Sequence, residues 1–395
     1  MPTSPSESLP THRLPFWRNE KFLFGLYAVV TVGAALQQLA LGHVNNYYIF
    51  KYSFSHLVNH QNLFALFPQE HYDNYKYGPV FAVLIAPIAA LPDWLGVQAW
   101  PLLNATLFLW ALRRLPVPSG WRIFIYWFVL IEFLTATQNL QANPMLTAFI
   151  VFTFVSFERK QVFWAALFIA LGGFVKIYGF IGGAFFLLYP QKGRFLAALA
   201  FWCVVLFLLP LPFVSFNELL YLYREWYVAL ADKTGYHHDI SLIQILQSLV
   251  YARIPDMAVV GVGVVMFCMA YLRYDRFKSL RFRLLFLASV LVWMVVFSPG
   301  AESPTYVVAV TGVALWYLAG RRDGWRLALL VFVFVLTCLS PTDIFPRFAR
   351  DNYVIPYALK ALPCALVWVA LMYELLVGNP LQRIAAVAKT RMRVE

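Results

Sequence analysis

The segment from Gly42 to Pro79 gathers much of the chain's reactive chemistry: four of its seven histidines (His43, His56, His60, His71), the carboxylates Glu70 and Asp73, and the amines Lys51 and Lys76. A carboxylate or a neutral imidazole can take a proton from a hydroxyl, and an ammonium group can hold an anion such as a phosphate. The flanking residues are overwhelmingly apolar. Polar groups concentrated in one such segment mark the first place to look for a site.

Further polar residues interrupt apolar runs downstream. In TATQNLQANPM, Thr135, Thr137, Gln138, Asn139, Gln141 and Asn143 separate two apolar stretches, and Pro144 restarts a helix. Lys176, in GGFVKIYGFIGG, stands alone between apolar runs. At membrane depth such a lysine is costly unless it neutralises an anionic ligand, pairs with a carboxylate or extends to the interface. The glycines around it (Gly172, Gly173, Gly179) allow close backbone approach and favour a phosphate contact. Glu132 and Glu302 sit near the ends of apolar runs, and Glu302 reads either as a cavity carboxylate or as an ordinary loop residue. Glu70–His71–Asp73 and His237–His238–Asp239 have metal-ligand chemistry, but neither has a compact helical spacing, so no metal is expected. Cys203, Cys268, Cys338 and Cys364 lack paired spacing and read as packing residues.

The elements that must position these groups are membrane helices. Hydrophobic residues make up 61% of the chain and charged ones 13%, with a mean hydropathy of +0.67. A soluble domain carries roughly 25% charged residues. The expected class is therefore an all-α polytopic membrane protein, with about twelve spans. They fall near 22–41, 96–113, 122–137, 145–158, 161–175, 177–190, 195–214, 256–274, 284–299, 303–319, 326–340 and 355–377. The stretch 79–92 is too short to cross and reads as a re-entrant or broken helix, with breaks at Pro79, Pro87 and Pro92. The net charge of +12 does not imply nucleic acid, because 22 of the 31 lysines and arginines lie in short loops and tails. That distribution is the positive-inside pattern and puts the tails 1–21 and 378–395 in the cytoplasm, flanking one domain over 22–377. Residues 1–20 lack an apolar core and read as a tail rather than a signal peptide. External segments are then 42–78, 215–255, 299–303 and 341–354. Within the first, IFKYSFSHLVNHQNLFALF reads either as a pair of interfacial amphipathic helices or as a loop anchored by aromatics. No Walker-type loop, dinucleotide fingerprint or paired CxxC occurs.

Several short elements, taken in order, resemble glycosyltransferase family 87, the bacterial polytopic transferases of GT-C type. They are Tyr77-Gly78-Pro79-Val80-Phe81-Ala82, the turn Pro87 to Pro92, Trp100 with Asn104, Leu140-Gln141-Ala142-Asn143, Lys176-Ile177-Tyr178-Gly179, and Ser298-Pro299 followed by Glu302. Two departures stand out. Leu140 replaces the glycine of the G-Q-x-N element, and Asn46 stands where the family carries its catalytic aspartate. An amide takes up no proton at neutral pH, so the base must be another carboxylate of the loop or the chain binds without turnover.

The resemblance implies a GT-C-like fold with re-entrant or interfacial helices beside the spans. It also implies inverting transfer of a hexose, mannose first, from a polyprenyl-phosphate donor to a hydroxyl of a glycolipid or glycan acceptor. The reaction would run at the outer face of the bacterial inner membrane, among membrane lipids and without a cofactor. Asp73, then Glu70, would act as base, with His71 orienting it. Lys176 and Lys76, with Arg347 and Arg350 of PTDIFPRFAR, would hold the phosphate. Asn46, Tyr47, Tyr48, Gln141, Asn143 and Glu302 would complete the substrate contacts. Two other classes stay open: a transporter or flippase of lipid-linked sugars, and an inactive homologue that binds polyprenyl phosphate. No repeated halves support the former, and Asn46 keeps the latter open.

Overall fold

The computed structural model describes residues 15–231, 239–321 and 323–378, and the regular structure in them is entirely helical. Helix α1 (Glu20–Leu41) begins where Asn19 accepts the Lys21 N–H at 2.9 Å and ends at Gly42, whose φ of 71° is left-handed. Next come α2 (Asn45–Val58), α3 (Pro79–Ala89), α4 (Asp93–Arg114), α5 (Ser119–Gln138), α6 (Asn143–Glu158) and α7 (Val162–Val175). A 3-10 helix over Ile177–Leu188 leads into α8 (Lys192–Leu208), α9 (Phe216–Ala231), α10 (Leu242–Leu249), α11 (Asp256–Cys268) and α12 (Leu280–Val296). Helices α13 (Tyr306–Ala319), α14 (Gly324–Phe332) and α15 (Leu362–Val377) follow.

Five helices of 19 to 22 residues are long and apolar enough to cross a membrane: α1, α4, α5, α11 with its 3-10 extension to Arg276, and α15 with the turn from Leu359. At 1.5 Å per residue each covers about 30 Å, the thickness of a hydrocarbon core. The remaining expected spans are shorter or broken: α6, α7, the 3-10 helix over Ile177–Leu188, α8, α12 and α13 have 12 to 17 residues each, and α14 gives way to a π-helical stretch over Val333–Leu339.

Ion pairs and caps tie one set of helix ends together. Glu20 at the start of α1 pairs with Arg122 of α5 at 2.6 Å and lies 3.9 Å from Arg113 at the end of α4. Glu158, at the end of α6, pairs with Arg283 of α12 at 2.5 Å. Arg281 donates to the Ala319 carbonyl at the end of α13, and Arg326 of α14 pairs with Glu374 of α15. This end is rich in arginine. The opposite ends carry the polar turns at 42–45, 139–142, 176 and 298–302.

At that second end, α2 and α3 form a side unit with the start of α4. Phe50 sits edge-on to Tyr77, Phe81 and Trp100, at 4.9, 5.3 and 5.4 Å between ring centres. Lys51 pairs with Asp93 at the first residue of α4. Helix α3 has 11 residues and so covers about 16 Å, too short to cross, in keeping with the sequence expectation for 79–92. The loop before it differs from one expectation. It contains one helix, α2, rather than two, because the chain turns at Asn59 and His60 (φ 56°) and Pro68 keeps the following stretch in turns.

Candidate active site

Where the second ends meet, they enclose a cavity of about 800 Å³. Each wall has a local cause. The Asp73 wall is held by Asn45, the first residue of α2. Its Nδ2 donates to Asp73 Oδ2 at 3.0 Å while its Oδ1 accepts the Tyr72 N–H at 3.0 Å. One amide thus fixes both the backbone and the carboxylate of the loop, and leaves the other Asp73 oxygen without a bond to Asn45. Lys76 lines the cavity three residues on, its carbonyl accepting from Trp226 of α9 at 3.3 Å.

The lysine wall exists because of Gly78. Its N–H donates to the Val175 carbonyl at 3.2 Å, and a Cβ there would lie 2.1 Å from the Phe174 carbonyl oxygen. Only glycine lets the loop meet the end of α7 so closely. Lys176 is thereby set against the loop, with Nζ 5.1 Å from the Tyr77 ring centre and 5.2 Å from that of Tyr178. These are cation–π distances. Gly172 and Gly179 touch backbone to backbone, as their types suggested, so the chain folds back directly after Lys176.

The third wall is the turn between α5 and α6. Leu140 adopts φ 49°, a left-handed conformation that glycine takes without strain. The turn is held from outside: Trp100 Nε1 donates to the Leu140 carbonyl at 2.7 Å, and Asn104 Oδ1 accepts the Met145 N–H at 3.2 Å. Trp100 and Asn104 are therefore positioning residues for Gln141. Gln141 Nε2 donates to Glu302 at 2.9 Å, and the Tyr77 hydroxyl donates to Gln141 Oε1 at 3.4 Å. Burial pushes the Tyr77 phenol up to about 12 despite nearby Lys176, so it remains a donor.

Glu302 comes from the loop after α12. Asp239 Oδ1 accepts the Ala301 N–H at 3.1 Å, and the Ile240 N–H donates to the Ala301 carbonyl at 2.7 Å. From the other side, buried Lys360 donates to Ser303 Oγ at 2.7 Å and pairs with fully buried Glu132 at 2.9 Å. Glu132 thus acts on the site through Lys360 rather than lining it.

The cavity brings together Asn46, Asp73, Lys76, Gln141, Lys176 and Glu302 from the sequence-derived candidates. The other candidates lie elsewhere. Glu70 bonds to His56 at 2.6 Å, and His71 is buried beside them. Tyr47 is buried against α4, where Gly96 makes room for its hydroxyl. Tyr48 lies next to Asp93 and Tyr52; burial, and then the charge of Asp93, push its phenol upward. Asn143 is fully buried, its amide atoms without a hydrogen-bond partner among the described residues. Arg347 is exposed and Arg350 pairs with its neighbour Asp351 at 3.0 Å; neither lines the cavity. His237 and His238 lie outside the described residues.

Sequence reasoning passed over Asn45 and Lys360. The first had a local signal, its place at a helix start in the loop. The second had none, because its partner Glu132 is 228 residues away.

The fold and site define a class: a membrane-embedded helical protein with a polar cavity holding two carboxylates and two lysines at one end of its bundle. The sequence signature described as Glycosyltransferase family 87 matches residues 75–299, more than half of the chain. The chain belongs to that family and is a membrane glycosyltransferase. The match takes in Gly78, Trp100, Asn104, Gln141 and Lys176; Asp73 and Glu302 fall just outside it, and Asn45 lies well before it. No curated protein matches the chain.

Proposed function

We propose that the protein transfers a hexose, mannose as first candidate, from a polyprenyl-phosphate donor to an acceptor hydroxyl, with inversion. The observation that carries this reading is the cavity itself, whose lining brings Asp73 together with Lys176 and the bonded pair Gln141–Glu302. Lys176 and Lys76 suit the donor phosphate. Gln141, Glu302 and Asn46 suit sugar hydroxyls. In the reaction, the acceptor oxygen bonds to the anomeric carbon as its proton passes to Asp73. The anomeric carbon–oxygen bond breaks, and its electron pair leaves with the lipid phosphate, stabilised by the lysines. Apolar helix surface beside the cavity would take the prenyl chain, with about twelve crossings counting the shorter helices.

The arginine-rich end suits the cytoplasmic side by the positive-inside rule. The cavity would then open on the outer side of the bacterial inner membrane, with both tails cytoplasmic.

Asn46 supports a base other than the family position. Its Nδ2 donates to the Asn139 carbonyl at 2.8 Å, a bond that an ionised aspartate cannot make. The same residue favours a second reading, an inactive binder of lipid phosphate.

The deciding experiment incubates purified, detergent-reconstituted protein with radiolabelled polyprenyl-phosphate mannose and a total lipid extract, wild type beside Asp73→Asn. Labelled product from wild type alone supports the transferase and its base. Equal label from both removes Asp73 from that role. No transfer from mannose or other prenyl-linked sugars, with donor binding intact, establishes the binder.

A further inference from the structure

Behind the cavity wall lies a second cluster that the transfer reaction does not use. One ligand atom from each of His56, Glu70 and His71 lies within 4.8 Å of the other two. His56 and His71 are buried, at 2% and 4% exposure, while the Glu70 side chain is partly open at 34%. His56 stacks on Phe67 at 3.7 Å, and Phe67 also lies 6.0 Å from the His71 ring, so an aromatic wall fixes both imidazoles. His71 donates its Nδ1–H to the Asp73 carbonyl at 2.8 Å, which leaves Nε2 as the lone-pair nitrogen. A carbonyl partner on one ring nitrogen is the usual orienting device of a metal-binding histidine.

We propose that His56, Glu70 and His71 bind one divalent ion of the zinc class. Two imidazoles and a carboxylate match zinc or cobalt and not magnesium, which prefers oxygen ligands throughout. The ion displaces the proton shared between His56 and Glu70, and water fills its remaining position. Its role is positional. It clips residues 70–71 to the end of α2, whose first turn holds Asp73 through Asn45. Metal binding stands whether or not the chain transfers sugar; the link to Asp73 rests on the proposed reaction.

The test strips the full-length protein in detergent with a chelator and titrates it with Co²⁺ alone, following d–d absorption and bound metal by elemental analysis. Wild type is expected to take up about one equivalent, which zinc then displaces and excess magnesium does not. His56→Gln and His71→Gln should each weaken binding by about tenfold or more. His60→Gln, at an exposed histidine bonded to Glu218, should not. Because the chain has seven histidines, the difference between variants is the readout. Metal-free wild type and variants should share helical circular dichroism, which separates lost ligation from lost folding. Equal cobalt binding by wild type and the His56→Gln/His71→Gln double variant, or displacement by magnesium, overturns the proposal.

Discussion

Replacing Asn45 by aspartate tests whether Asp73 is the group that takes the proton. The change is nearly isosteric. Oδ1 still accepts the Tyr72 N–H, while the Nδ2 donor 3.0 Å from Asp73 Oδ2 becomes a carboxylate oxygen. Two unit charges about 3 Å apart repel by about 1.4 kcal/mol in water and about 5.5 kcal/mol at an effective dielectric of 20. Asp73 is exposed to the cavity, so the value near water applies. At 1.36 kcal/mol per unit, the acid limb of the pH–rate profile should move up by about one unit. Asn45→Ala removes the same hydrogen bond without adding charge. Its loss is about 0.5–1.5 kcal/mol, at most roughly tenfold in rate; because that bond favours the ionised carboxylate, the limb should rise here too, but by less than in Asn45→Asp, where the added charge acts on top of the lost bond. The assay is kcat/KM for sugar transfer between about pH 5 and pH 9 for the three proteins. An unshifted acid limb in Asn45→Asp, with activity retained, would refute Asp73 as the proton acceptor.

Three further outcomes are expected. Asn46→Asp should lower both activity and melting temperature, because it sets an anionic oxygen 2.8 Å from the Asn139 carbonyl; increased turnover would return the base to the family position. Lys360→Met should destabilise by about 3–5 kcal/mol by leaving Glu132 buried and unpaired. The added change Glu132→Gln should recover most of that in thermal melts, and an additive double variant would count against the pair. Burial pushes the Asp239 carboxyl from 3.8 up to about 6. A folded-state value above the unfolded one means that this group's contribution to stability is full below about pH 4 and lost as pH rises to about 6. Asp239→Asn should flatten that fall in a pH series of melting temperatures, and parallel slopes in the two proteins would rule it out.

Hydrocarbon-rich stretches, loop-confined basic residues and a run of short elements were enough, from sequence alone, to determine a helical membrane protein and its transferase family. They also marked 79–92 as too short to cross, since helix rise and bilayer thickness leave no choice. Asp73, Lys76, Gln141, Lys176 and Glu302 stood out because polar groups are costly among apolar ones. The tertiary structure decided which candidates share a cavity. Glu70 and His71 lie two or three residues from Asp73, yet they turn to His56 and the Phe67 wall. Lys176 meets the loop because Gly78 lets two backbones touch, and Leu140 keeps a glycine's conformation because Trp100 holds its carbonyl. Such contacts join residues far apart in the chain, through packing that no local pattern encodes.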